Sequence, residues 1–230
     1  MKIAIIADIH SNFEAFREVL THLKLQRVSK IFCAGDVVGY NANPNECCEL
    51  VSKEKIVCVK GNHDAVSLDL KSLDWFNSYA QAALKWTNKI LSKESKGFLE
   101  KLPEVYEETI ERRKVFMVHG SPHDHLFEYV YPNSSDSLLN SIIGEAKADI
   151  LIVGHTHVPM IRKLGGKLFI NPGSVGQPRD NNPYASYCIL DTDGFNVQLY
   201  RIPYNINSAA MKIVNSSLPR YLADRLFSGR

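Results

Sequence analysis

The sequence has 230 residues, 45% of them hydrophobic and 23% charged, a composition that excludes a disordered or fibrous chain and allows a sizeable core. Its 27 basic and 25 acidic side chains leave a formal charge of +2, which argues against a protein built to grip many nucleic-acid phosphates. The five cysteines are odd in number and show no Cys-x-x-Cys spacing, so they read as reduced thiols of a cytoplasmic protein.

The first apolar run stops at Asp8, short of the roughly 7–15-residue apolar region of a signal peptide, and no stretch approaches the ~20 apolar residues of a membrane span. No Pro/Gly/Ser-rich linker or charge run divides the chain, so residues 1–230 read as a single domain.

Residues 2–7 form a continuous apolar run, the pattern of a strand covered on both faces, and residues 12–26 follow with helical periodicity in Phe13, Phe16, Leu20 and Leu23. The rhythm repeats as a strand over 31–34, a helix over 44–52 and a strand over 56–59, and such a βαβαβ opening implies a largely parallel sheet. Residues 73–102 carry helix formers with apolar residues at three- and four-residue steps, ended by Pro103. This helical excursion would cover a site or meet a second subunit of a homo-oligomer. A strand over 115–118, a helix over 135–146 and a short buried strand over 150–153 come next. Turns at Gly165-Gly166 and Asp193-Gly194 then predict antiparallel hairpins over 160–170 and 186–200, and residues 206–230 read as helical. The expected fold class is α/β, α+β in part: two packed mixed β-sheets flanked by helices.

The chemistry stands at the ends of the predicted strands. Asp8-Ile9-His10 follows the first, Gly35-Asp36 the second, Gly61-Asn62-His63-Asp64 the third, and His119-Gly120 and Gly154-His155-Thr156-His157 the later ones. Carboxyl ends of strands in open α/β sheets face the ligand crevice, so these five segments converge there. Carboxylate, imidazole and amide oxygen suit Mn²⁺, Fe, Zn²⁺ or Ni²⁺, with Mg²⁺ also admitted. Asp8, His10, Asp36, Asn62, His119, His155 and His157 exceed the donors one ion takes, which points to two divalent metal ions. Singly, each segment has a plain structural reading: Asp8, Ser11 or Asn12 can cap the following helix, and Gly35-Asp36 is ordinary turn chemistry. Jointly, a purely structural origin needs five coincidences.

This ordered set resembles the five-block signature of the calcineurin-like metallophosphoesterases, with every block intact. Asn171-Pro172-Gly173-Ser174 is similar to a segment of the small bacterial and archaeal phosphodiesterase branch. The resemblance implies a four-layer α/β/β/α sandwich in which Asp8, His10 and His157 bind one ion, Asn62, His119 and His155 the other, and Asp36 bridges them. It further implies that His63 faces the scissile phosphate, with Asp64 orienting its imidazole. Two such cations, manganese foremost, would share a hydroxide that attacks a phosphodiester or related ester.

Arg179 could grip a substrate phosphate or join a surface ion pair near Asp180, and Tyr40 and Asn41 could border the pocket, though packing explains Tyr40 equally. His123 and His125 read as solvated-loop residues and His22 as structural. Within hydrolases the rival readings are a dinucleoside-polyphosphate or nucleotide hydrolase, a protein phosphatase and a nuclease, since loops rather than the shared core choose the substrate. A small phosphate ester is the favoured partner. A rival of another class is a catalytically idle scaffold like the retromer trafficking subunit, against which the intact signature argues.

Overall fold

A computed structural model describes residues 1–230. Ten strands form two five-stranded mixed sheets. The first holds β1 (Lys2–Ile6), β2 (Lys30–Cys33), β3 (Val57–Cys58), β9 (Ala185–Asp191) and β10 (Asn196–Ile202), in the order β10-β9-β1-β2-β3. The second holds β4 (Val105–Ile110), β5 (Arg113–Val118), β6 (Ile150–Ile152), β7 (Met160–Leu164) and β8 (Lys167–Asn171), in the order β4-β5-β6-β8-β7.

Alternation along β1 shows how the layers are built. Successive side chains of a strand face opposite ways. Ile3 and Ile5 enter the core shared by the sheets, with Met117, Ile152 and Ile170, whereas Ala4 and Ile6 enter the helical core. There they join Phe16 and Leu23 of α1 (Phe13–Gln26), and Cys47, Cys48 and Val51 of α2 (Pro44–Lys53). On the far side Leu139 and Ile143 of α6 (Asp136–Glu145) pack on Phe116, Leu151 and Phe169. The result is the expected four-layer α/β/β/α sandwich. No helix is long and apolar enough to cross a membrane, and all five cysteines are free and buried.

The parallel pairs β1/β2, β2/β3, β5/β6 and β6/β8 bring the carboxyl ends of strands from both sheets to one edge of the sandwich. The two predicted hairpins separate: β9/β10 extends the first sheet beside β1, and β7/β8 completes the second beside β6.

Three local features depart from expectation. Asn62–Asp69 forms a helix, α3, that begins inside Gly61-Asn62-His63-Asp64, so this segment is a strand-to-helix turn. Strand β4 was not expected; its Val-Tyr-Glu-Glu-Thr-Ile pairs with β5 through a turn at Glu111-Arg112, where both residues are left-handed (φ 49 and 67) without the usual Asn-Gly. The excursion splits into a 3₁₀ turn at Leu73–Trp75, α4 (Ser78–Ile90) and α5 (Lys93–Glu100). Helix α4 packs with α7 (Ile206–Asn215) and α8 (Arg220–Asp224) in a separate core containing Ala80, Ala83, Ile213, Leu222 and Tyr40.

Candidate active site

Five of the seven expected ligand residues leave their strands in the left-handed backbone region: Asp8 (φ 54), His10 (46), Asp36 (55), His155 (69) and His157 (60). Each such non-glycine conformation costs of order 1–3 kcal/mol and persists only where the surroundings enforce it. Here hydrogen bonds enforce it. Asp8 N–H donates to Gly35 C=O (3.0 Å), His10 N–H to Asp36 C=O (3.0 Å) and Gly154 N–H to His119 C=O (2.9 Å). The loops also approach too closely for a side chain: a Cβ on Gly61 would sit 2.0 Å from Asp36 Oδ1, and one on Gly35 2.9 Å from His119 Nδ1.

Four buried imidazoles are fixed in the same manner. His10 Nδ1 donates to Val38 C=O (3.0 Å), His119 Nδ1 to Ala34 C=O (2.7 Å), His157 Nδ1 to Gln177 C=O (2.6 Å), and His155 Nε2 to Phe127 C=O (3.2 Å). A carbonyl only accepts, so each bond puts a proton on the nitrogen that makes it and turns the other ring nitrogen inward, with a free lone pair in the neutral rings of His10, His155 and His157. These nitrogens meet in pairs: His10 Nε2 is 3.0 Å from His157 Nε2, and His119 Nε2 is 3.1 Å from both His155 Nδ1 and Asn62 Oδ1.

The two aspartates complete the arrangement. Asp8 Oδ1 lies 3.7 Å from His10 Nε2 and 3.5 Å from His157 Nε2. Asp36 Oδ2 lies 3.5 Å from His10 Nε2 and 3.4 Å from His119 Nε2, reaching both imidazole pairs. Both oxygens are buried without a hydrogen-bond partner. Opposed lone pairs and unpaired carboxylate oxygens are unfavourable alone and become favourable around cations, so this donor set fits divalent metal ions. Asp8, His10 and His157 lie close enough together to hold one, as do Asp8, Asp36 and His119.

Burial dominates the proton equilibria. It lowers the His10 pKa to about 4 and, with the charge of His119 added, that of His155 to about 3; His157 and His63 also lie well below 6.5. Burial raises Asp8 to about 8 and Asp64 to about 7. For Asp36 and His119 the desolvation is outweighed by their mutual attraction, which lowers the carboxyl and raises the imidazole.

Unfolding exposes the four depressed imidazoles, which then take protons near 6.5; the stability from keeping them neutral is present above that pH and is lost as pH falls. Asp8 and Asp64, protonated in the fold yet ionised in the unfolded chain, oppose this above about pH 4. Four imidazoles against two carboxyls leave a net uptake of about two protons on unfolding. The chelator-stripped protein is therefore expected to lose stability by a few kcal/mol per pH unit, on the order of two protons' worth, between roughly pH 6 and 4.5. Urea unfolding followed by circular dichroism across that range measures the slope, and a flat or opposite slope would contradict the buried neutral imidazoles.

His63 and Asp64 both stand at this edge of the sandwich, but no hydrogen bond joins their side chains, in contrast to the expectation. Asp64 Oδ1 accepts from Val38 N–H and Oδ2 from Gly61 N–H, both at 3.0 Å, so its carboxylate pins the 36–38 and 61 loops. His63 Nδ1 is buried without a partner; the ring packs against Tyr40 (centroids 4.4 Å apart) and Phe76 (4.9 Å) and borders the cavity. An Asp64→Asn change would set an amide against a backbone N–H and is expected to cost about 1.5–3 kcal/mol, read as a lower Tm.

The site opens into a cavity of about 490 Å³. Arg179 lines it, donating to Tyr40 O–H (3.2 Å) and Gln177 Oε1 (3.1 Å), while Asp180 pairs with Arg201 instead. Tyr40 is buried, left-handed (φ 56) and 4.7 Å from the His10 ring, so it both packs and shapes the site. Asn41 stays beneath the surface, its Nδ2 donating to His10 C=O at 2.7 Å. His125 approaches Glu104 (3.4 Å) away from the cavity, and His22 bonds Tyr187 O–H (2.5 Å), a structural role. Sequence reasoning missed the braces. Ser174 Oγ donates to Asp8 C=O (2.7 Å), and Asn171 Nδ2 to Gly154 C=O (2.6 Å) and Thr156 Oγ1 (3.0 Å), so Asn171-Pro172-Gly173-Ser174 clamps two ligand loops.

Comparison with known proteins agrees with this geometry. Residues 1–194 match the calcineurin-like phosphoesterase superfamily domain. An uncharacterized protein of Methanocaldococcus jannaschii is 43% identical, covering 99% of this chain and 98% of its own. The phosphodiesterase YfcE of Escherichia coli is 26% identical over 86% of this chain and 91% of its own. The crystal structure of a metallophosphoesterase from Sphaerobacter thermophilus superposes with a TM-score of 0.86 at 34% identity, covering 100% of this chain and 99% of that one. With five strand ends of two sheets delivering aspartate and histidine to one edge, the chain belongs to the calcineurin-like phosphoesterase superfamily.

Proposed function

We propose that this chain, acting as one domain, is a phosphodiesterase that works with two divalent cations. Asp8, His10 and His157 would hold one, Asn62, His119 and His155 the other, and Asp36 would be shared. The observation that carries this is the pair of opposed imidazole couples at 3.0 and 3.1 Å with Asp36 Oδ2 within 3.5 Å of both. Cations held there supply Lewis-acid activation of water and neutralise phosphate charge.

The protein's own side chains do the rest. The backbone carbonyls on the four imidazoles keep their inward nitrogens free for metal, and the strained loops hold the donors in place before substrate arrives. Arg179 presents its guanidinium to the phosphate oxygens. His63, neutral in the free protein because it is buried, donates a hydrogen bond to the leaving oxygen. The phosphate's negative charge raises its pKa, so that it can pass a proton as the P–O bond breaks. A diester is favoured because the cavity of about 490 Å³ has room for both ester arms, and the E. coli relative is named a phosphodiesterase. Five unpaired buried thiols fit a reducing, cytoplasmic setting.

The test is chelator-stripped protein assayed on bis(p-nitrophenyl) phosphate and p-nitrophenyl phosphate before and after adding Mn²⁺, with bound metal measured by mass spectrometry. Two equivalents of metal and metal-dependent turnover preferring the diester are expected. Preference for the monoester would make the protein a phosphatase, and absence of both metal and turnover would leave a scaffold.

A further inference from the structure

The outer cavity is built by two segments that are not strand ends. Trp75 to Tyr79 leads into α4, and Tyr221 to Arg225 belongs to the C-terminal helices, beyond the 1–194 domain. The two are packed together through α4, α7 and α8, and Tyr40 of the metal-site loop joins the same core, so this wall is fixed to the catalytic edge.

Two cations stand on it with no Asp or Glu partner. The guanidinium carbons of Arg179 and Arg225 lie 5.6 and 6.0 Å from the Tyr40 ring centroid, and both residues line the cavity. The hydrogen-bond acceptors of Arg179 are Tyr40 O–H and Gln177 Oε1, and its Nε is buried with no partner at all. Arg225 donates from Nε to the Arg230 main-chain oxygen, which leaves its terminal nitrogens free for a second contact. Burial, and then the charge of Arg179, make it harder for Arg225 to keep its proton. Two guanidiniums lining one cavity, both partly withdrawn from water and one with an unpartnered Nε, are stabilised by an anion bound between them.

Aromatic faces adjoin these charges. Arg225 lies 5.5 Å over the Tyr221 ring, which stacks on Tyr79 at 4.5 Å. Trp75 is 80% exposed at the cavity mouth, 5.8 Å from Phe127. An exposed tryptophan beside paired cations offers a π-face to a flat heterocycle.

We propose that the site takes phosphate esters with at least two consecutive phosphates and an aromatic base, the nucleoside polyphosphate and dinucleotide class. The phosphate to be cut lies at the metal-ligand cluster under His63 and Arg179, Arg225 holds the next phosphate, and the base stacks on Trp75. This rests on the metal-dependent hydrolytic reading and narrows its substrate. Hydrolysis adds water across one P–O bond, and the departing phosphate or nucleoside oxygen takes the proton.

The test uses Mn²⁺-loaded protein with adenosine monophosphate, non-hydrolysable α,β-methylene adenosine diphosphate and methylenediphosphonate. Each is titrated calorimetrically and used as a competitor of bis(p-nitrophenyl) phosphate turnover. The methylene diphosphate is expected to bind at least about tenfold more tightly than the monophosphate, the scale of one charge-assisted phosphate contact. Arg225→Gln should shrink that gap to about threefold or less, while Arg225→Lys, which keeps the charge, retains part of it. Trp75→Leu should weaken both nucleotides relative to methylenediphosphonate. Equal binding of mono- and diphosphate to the wild type overturns the proposal, as does a gap unchanged in Arg225→Gln protein of wild-type Tm. If the calorimetric gap appears without diester turnover, the nucleotide site stands and the hydrolytic reading falls.

Discussion

Replacing His63 with glutamine is expected to leave the bound metal unchanged and to lower kcat by about 10²–10⁴-fold, the range for loss of a well-placed general acid. His63 is the one imidazole of the cluster that donates to no backbone carbonyl; its Nδ1 is unpartnered and its ring borders the cavity. It also lies near enough to His10 and Asp36 to serve as a ligand itself. The two roles separate by experiment. A proton donor matters most when the leaving oxygen is basic, so the loss should be larger for a 2′,3′-cyclic nucleotide, which releases an alkoxide, than for bis(p-nitrophenyl) phosphate. An equal loss on both substrates with full metal content would reduce His63 to positioning the phosphate. A fall in metal content would make it a ligand.

Asp36→Asn is expected to lower metal occupancy below two equivalents and turnover by more than the roughly 10–100-fold that loss of a supporting group costs a metal site. Its Oδ2 is the unpaired buried oxygen within 3.5 Å of both His10 Nε2 and His119 Nε2, and its Oδ1 accepts from His63 N–H at 2.9 Å, at the N-terminus of α3. An amide carries no charge to share between two cations. In the stripped protein the same change removes the carboxylate that raises the His119 pKa to about 10, so the His119 resonances should titrate at lower pH by NMR. Wild-type occupancy and turnover in this variant would show that Asp36 is not shared between metals.

Most of the first sheet and the aspartates and histidines that gather at its edge were legible in the chain. Period-two and period-3.6 patterns located β1, α1, β2 and α2 within a residue or two, because each buries one or two continuous apolar faces. Strand β3 is only Val57–Cys58, shorter than its apolar run, since the chain turns toward Gly61. Strand β4 carries a weak strand pattern because it is an edge strand with Glu107 exposed, Glu108 half-buried against Lys30, and a hairpin turn without glycine. Helix α3 has no apolar period of its own in its first turn, which His63 and Asp64 form. The role of Asp64 differed from expectation for a related reason: a carboxylate three residues into a helix is positioned to bond the N–H before it, and here that contact, with Val38 N–H, takes both oxygens.

The sequence by itself determined the layers, the five chemistry-bearing strand ends and the metal-type donor set, because local periodicity and residue chemistry act over a few neighbours. Only the tertiary structure decided which sheet each hairpin joins, which imidazole nitrogen faces inward, and that the helical excursion and the C-terminal helices share one core beside Tyr40. Those outcomes depend on hydrogen bonds and packing between residues far apart in the chain, such as Ser174 with Asp8 and Arg179 with Tyr40, which no local pattern encodes.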